Sequence, residues 1–166
     1  AKQCYYKEGD KDYLIAGYPW FKVLARDLFV ALPGTTLAIN HRTDFEKIMD
    51  TAVEALQHYY ATGKGDKTIE EIDLPDVPLW AMWDVVQYFK FTNTADTIKK
   101  YGKFIEDTLN FILDGKQKNL FINESGLLST DGTKTPVTWM DATNPNGTPV
   151  IPRTGFIVEF NALWYN

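Results

Sequence analysis

Apolar residues recur at helical spacing along three stretches of the chain. From Thr43 to Thr62, Phe45, Ile48, Met49, Ala52, Val53, Leu56, Tyr59 and Tyr60 share one face of a helix. Thr43 and Glu46 have the form of a capping box at its start, and Gly63 supplies a stop. From Pro78 to about Thr92 the apolar residues Leu79, Trp80, Met82, Trp83, Val85, Val86, Phe89 and Phe91 run nearly all the way round, which predicts a buried helix. Asp76 precedes Pro78 and suits its first turn. From Ala95 to Leu113 a third helix places Ile98, Tyr101, Ile105, Leu109 and Ile112 on one face, with Thr94 or Asp96 as cap and Gly115 as stop.

The flanking regions read differently. Arg26 to Asn40 is apolar and helix-like but contains Pro33-Gly34, which predicts a kink or a break. Leu120 to Val150 is dominated by Gly, Pro, Asn, Asp and Thr with short apolar runs, which predicts a long loop with one small hairpin. Such loops in compact domains usually carry function. The chain ends on Leu163-Trp164-Tyr165-Asn166, inside an apolar helical pattern with no stop signal, so a piece of a longer protein is expected. The sum is a mainly α chain of antiparallel helical hairpins.

Composition narrows the function. Of 166 residues, 45% are hydrophobic and 23% charged, as in ordinary globular domains. The net charge of −5, without a long basic run, argues against a nucleic-acid partner. No run approaches the ~18 apolar residues of a membrane span, and the opening Ala-Lys-Gln-Cys-Tyr-Tyr is unlike a signal peptide. The single cysteine, Cys4, excludes an internal disulfide and fits a reducing compartment. Aromatics reach 14%, with five Trp, and serve both cores and sugar platforms.

Candidate chemistry centres on two stretches, Thr138-Trp139-Met140-Asp141 and Pro152-Arg153 through Glu159. Sugar rings stack on indole, their hydroxyls bond charged groups, and paired carboxylates break glycosidic bonds. A general acid must hold its proton near neutral pH, which burial against an aromatic wall achieves. Asp141 beside Trp139 has the makings of such a group; the bland alternative is an Asp capping the turn before Ala142-Thr143-Asn144-Pro145. Arg26-Asp27 offers two adjacent charged groups that can reach one sugar, or simply an Asp in a first helical turn. Glu159 lies among Phe156, Ile157, Val158 and Phe160, so it needs a partner such as Arg153, a cleft, or exposure on its helix. His41 and His58 lie near no Ser or Cys motif, and no nucleophile triad or metal set is visible.

Three blocks carry a family resemblance: Ala16-Gly17-Tyr18-Pro19-Trp20-Phe21 with Arg26-Asp27, then Thr138-Trp139-Met140-Asp141-Ala142, then Thr148-Pro149 through Asn166. In this order they resemble the C-terminal glucosidase domain of glycogen debranching enzymes, the amylo-α-1,6-glucosidases. The resemblance implies that residues 1–166 are part of an (α/α)6 toroid, truncated at both ends. It implies hydrolysis of α-1,6-linked glucose at branch points of glycogen or limit dextrin, with inversion, without cofactor or metal, in the cytoplasm. Carried over by residue, Asp141 is the general acid and Arg26 with Asp27 grips the cleaved glucose. Trp20, Trp139, Arg153 and Glu159 line the cleft. The catalytic base is expected downstream of Asn161-Ala162-Leu163-Trp164-Tyr165-Asn166, so this piece alone is expected to be inactive. Family members usually read Phe-Gly-x-Trp-Gly-Arg-Asp in the first block; here Lys22, Leu24 and Ala25 replace two glycines and a tryptophan.

Three alternatives remain open. One is a non-catalytic carbohydrate-binding protein on the same scaffold, and another is a glucoamylase-like (α/α)6 glycosidase. The last is a helical interaction domain, which requires Trp20 and Trp139 to be buried. The sequence leaves the oligomeric state undetermined.

Overall fold

A computed structural model describes residues 2–166; Ala1, the first residue of the opening segment, lies outside them. The described residues form six short strands and five α-helices, and 49% of the chain is helical. Strands β1 (Tyr5–Glu8) and β2 (Lys11–Leu14) make an antiparallel hairpin. Strand β3 (Val23–Leu24) runs into α1 (Ala25–Thr35) and pairs in parallel with β4 (Ile69–Glu70), which lies between α2 (Arg42–Thr62) and α3 (Val77–Phe91). Helix α4 (Thr94–Leu113) follows, then the hairpin β5 (Phe121–Ile122) and β6 (Leu128–Ser129), a long loop, and α5 (Val158–Tyr165).

The helices follow the sequence pattern closely in extent. Helix α2 ends at Gly63, whose φ of 68° and N–H bond to the Tyr59 carbonyl make the expected left-handed stop. Helix α1 runs through the buried Pro33 and ends two residues later at Thr35. Pro33 removes the N–H that would bond the Phe29 carbonyl, and at the helix end the hydroxyls of Thr35 and Thr36 donate to the Leu32 carbonyl.

The caps and faces differ from expectation. No side chain caps α2 among the described residues, so the Thr43–Glu46 box does not form. Glu46 instead accepts from Arg42 at 2.7 Å and from the Tyr88 hydroxyl, one helix away. Helix α4 is capped by Asn93, whose Oδ1 accepts from the Asp96 N–H at 2.9 Å, rather than by Thr94 or Asp96. Its buried face is Thr97, Tyr101, Phe104, Thr108, Phe111 and Ile112, while Ile98 and Leu109 face out. Helix α3 is not enclosed all round either: Phe89 and Phe91 are exposed.

Two apolar clusters result. The larger joins β2, α1, α2, α3 and α4 through Leu14, Phe29, Leu32, Phe45, Met49, Leu56, Tyr88 and Tyr101. The smaller holds the β5–β6 hairpin and α5 against α3 and α4 through Leu79, Ile112, Leu120, Leu128, Ile157 and Phe160. The Asn161 side chain joins α5 to the hairpin like a strand partner. Its Nδ2 donates to the Leu128 carbonyl and its Oδ1 accepts from the Leu128 N–H, both at 2.9 Å. The Trp164 indole donates to the Gly126 carbonyl at 3.0 Å. Among the described residues, no helix is long and apolar enough to cross a membrane.

Asp84 sits fully buried on α3, and neither carboxylate oxygen has a hydrogen-bond partner among the described residues. Burial pushes its pKa well above the ordinary value. As pH rises, the unfolded chain therefore loses this proton first, and stability falls from the ordinary carboxylate range upward. Asp84→Asn is expected to match the wild type near pH 4 and to exceed it in Tm at pH 7. The gain is about 1.4 kcal/mol for each unit by which burial lifts the pKa. Thermal unfolding at the two pH values checks this; a Tm difference independent of pH would contradict it.

Candidate active site

The short β3–β4 pair brings the start of α1 beside the start of α3. Arg26, in the first turn of α1, is buried there against Asp76, the residue ahead of α3. Arg26 Nε donates to Asp76 Oδ2 at 2.7 Å and Nη2 to Oδ1 at 3.2 Å. Burial raises the Asp76 pKa, and the guanidinium pulls it the other way. The sequence reading of Asp76 as a first-turn group was too local, because its side chain makes no cap bond and is committed to Arg26.

The remaining guanidinium nitrogen of Arg26, Nη1, lies 3.8 Å from Asp141 Oδ2, across more than a hundred residues of sequence. Asp27 follows on the exposed side of the same helical turn, where the helix dipole favours an anion. Glu71 completes the group. Its pKa is raised, first by partial burial, then by the charges of Asp141 and Asp27 working against Arg26. Its backbone is left-handed, with φ of 60°, a conformation that side-chain-bearing residues seldom adopt. Asp76 and Asp141, from distant parts of the sequence, thus meet one guanidinium, with Asp27 and Glu71 close by.

A second group is tied to the Asp141 loop by Trp139, two residues ahead of Asp141. Arg153 forms a fork with Glu159: Nη1 donates to Oε1, and Nη2 to Oε2 at 2.8 Å. That fork is the first cause of a lowered Glu159 pKa, and the Trp139 indole adds to it. Gly132 holds Arg153 in place, since a Cβ there would sit 2.2 Å from the Arg153 carbonyl oxygen. The antiparallel bridge between Thr130 and Gly155 closes the same turn.

The two groups gather six of the seven residues singled out in the sequence: Arg26, Asp27, Asp141, Trp139, Arg153 and Glu159. Trp20 is apart. It is 86% exposed on the 16–22 loop, and among the described residues no hydrogen bond, ion pair or ring contact joins it to either group. The wall expected to bury Asp141 is not around it, since its side chain is 63% exposed and Trp139 is 60% exposed. Both Trp20 and Trp139 are exposed, which the interaction-domain alternative did not expect. Glu71, and the pairing of Asp76 with Arg26, escaped the sequence reading because nothing local marks them; the left-handed backbone of Glu71 is set by the turn between β4 and α3. Among the described residues, no group of three His, Cys, Asp or Glu side chains could hold a metal ion.

A mainly helical domain thus presents carboxylates, arginines and an exposed indole on its loops, groups of the kind that can bond and stack on a polyhydroxyl ligand. A family model described as amylo-alpha-1,6-glucosidase matches residues 3–166, and the chain belongs to that family. No curated protein and no solved structure matches it. The family makes this a glycogen-debranching type of glycoside hydrolase domain, with branched glucan as its substrate class.

Asp76→Ala would strand the Arg26 guanidinium in the interior. Its expected cost is about 3–5 kcal/mol, the range for breaking one side of a buried ion pair. Urea unfolding measures it, and a loss below ~1 kcal/mol, typical of exposed pairs, would contradict the buried geometry.

Proposed function

We propose that this chain is the acid-bearing part of an inverting α-1,6-glucosidase domain of the (α/α)6 type. Its catalytic base lies outside these residues. Asp141 protonates the glycosidic oxygen, Arg26 and Asp27 hold the branch glucose, and Trp139 with the Arg153–Glu159 fork lines the cleft. The bond breaks through an oxocarbenium-like state while water attacks the opposite face. The observation that carries this reading is the approach of Asp141 to Arg26 at 3.8 Å, with Asp27 one residue on. A carboxylate and a sugar-gripping pair drawn from opposite ends of the chain meet in one place. Asp141 is open to solvent, so the desolvation a general acid needs comes from the bound sugar and from the rest of the domain.

The replaced first block and the open acid favour one second reading, a glucan-binding domain without turnover. The family's glycines and tryptophan are here Lys22, which pairs with Glu70 at 2.6 Å, Leu24 in β3, and the fully buried Ala25.

In the full-length protein, Asp141→Asn is expected to slow glucose release from branched limit dextrin by roughly 10²–10⁴-fold while dextrin binding is kept. NMR of the first product should show the β-anomer. Release of the α-anomer would sink inversion, and no release by the wild type would leave the binding reading. Glucose release by residues 1–166 alone would place the base inside this chain.

A further inference from the structure

A cavity of about 520 Å³ lies between the β1–β2 hairpin, the 16–22 loop and the segment leading into β4. We propose that it is an accessory subsite for a neutral α-glucan segment, a part of the branched substrate beyond the glucose that is cleaved. The proposal rests on the debranching reading above.

Its size falls within the roughly 300–1,000 Å³ of small-molecule sites. Its wall is aromatic where it opens to water: Tyr6, Tyr18 and Phe21 line it, with Tyr18 66% and Phe21 61% exposed. Large rings left in solvent are costly unless they serve a contact, and such flat faces match the apolar faces of pyranose rings. These rings are also held in place. The Phe21 N–H donates to the Gly17 carbonyl at 2.9 Å, and the Ala16 N–H to the Lys22 carbonyl at 3.1 Å, which closes the loop on itself. The Phe21 ring lies against Gly17, where a Cβ would sit 3.0 Å from Cδ2. The platform is therefore formed before a ligand arrives, which lowers the ordering cost of binding.

The polar lining selects the ligand class. Glu8, Lys22, Lys67 and Glu70 contribute two charges of each sign, so the cavity attracts neither anions nor cations. Two of the four are engaged with each other, Lys22 Nζ donating to Glu70 Oε1 at 2.6 Å, and Glu8 accepts from the Thr68 hydroxyl at 3.0 Å. Donors and acceptors set at fixed positions beside exposed rings suit an uncharged polyol.

The chain that lines the cavity leads directly into the candidate active site. Glu70 lines it, and the next residue, Glu71, belongs to the Arg26 cluster. Lys22 lines it, and the same strand runs through β3 into Arg26. A glucan with one residue at Arg26 would lay its neighbours on Phe21 and Tyr18.

Isothermal titration with maltotetraose tests this on the wild type, Tyr18→Ala, Phe21→Ala and Asp141→Asn, with Phe121→Ala on β5 as an exposed-aromatic control. The expected result is binding by the wild type, unchanged in Phe121→Ala and weakened by about tenfold in Tyr18→Ala and Phe21→Ala. Gly17→Ala, which displaces the Phe21 ring, should weaken it as well. Unchanged affinity in both aromatic variants overturns the subsite, as does loss of binding in Asp141→Asn alone or a wild type that binds no maltotetraose. Glucose release from limit dextrin separates the two ideas. Release with unaltered binding in the aromatic variants leaves the glucosidase reading standing without the subsite. Binding at the aromatic platform without release by the full-length protein does the reverse.

Discussion

Arg26 and Asp76 stand 50 residues apart in sequence and meet in a two-pronged ion pair sealed from solvent. Such a pair adds little net stability over apolar packing, because both charges lose their water. Its consequence is positional. It ties the first turn of α1 to the residue ahead of α3, beside the β3–β4 pair, and so sets the loop ends of two packed helices at one level. Asp27, Glu71 and the Asp141 loop can gather only because those ends coincide. The guanidinium that bonds Asp76 through two nitrogens presents its third toward Asp141, so one side chain serves both architecture and site.

The site is divided in its electrostatics. Around Arg26, one cation faces Asp27, Glu71, Asp76 and Asp141. The outcome is a protonation-favouring field at Glu71, where burial and two neighbouring carboxylates outweigh the arginine. Around Arg153, one cation faces one carboxylate in fork geometry, and Glu159 is held ionised. The Trp139–Asp141 stretch connects the two.

The helices were legible because burial imposes a 3.6-residue period that survives in the sequence, and α2, α3 and α4 lie within a residue or two of their expected spans. Details that depend on a distant partner were not. Glu46 fits a capping box by spacing, but Tyr88 and Arg42 offer its carboxylate stronger bonds. Of the expected α4 stripe, Tyr101 and Ile112 are buried and Ile105 packs on the core, yet Ile98 and Leu109 face out, while Phe104 and Phe111 turn inward. Two apolar stripes on one helix cannot be ranked by periodicity alone.

The sequence by itself determined the helical class, the hairpin after Leu120, the helix stop at Gly63 and the family. These rest on local periodicity, on glycine and proline stereochemistry, and on three ordered blocks of residues. Only the tertiary structure decided that Asp141 approaches Arg26, that Asp76 is Arg26's partner, that Glu71 joins them, and that Asp141 and Trp20 stand open to solvent. Charge pairing, desolvation and exposure depend on what the rest of the chain brings near a residue. No pattern of neighbours along the sequence carries that information.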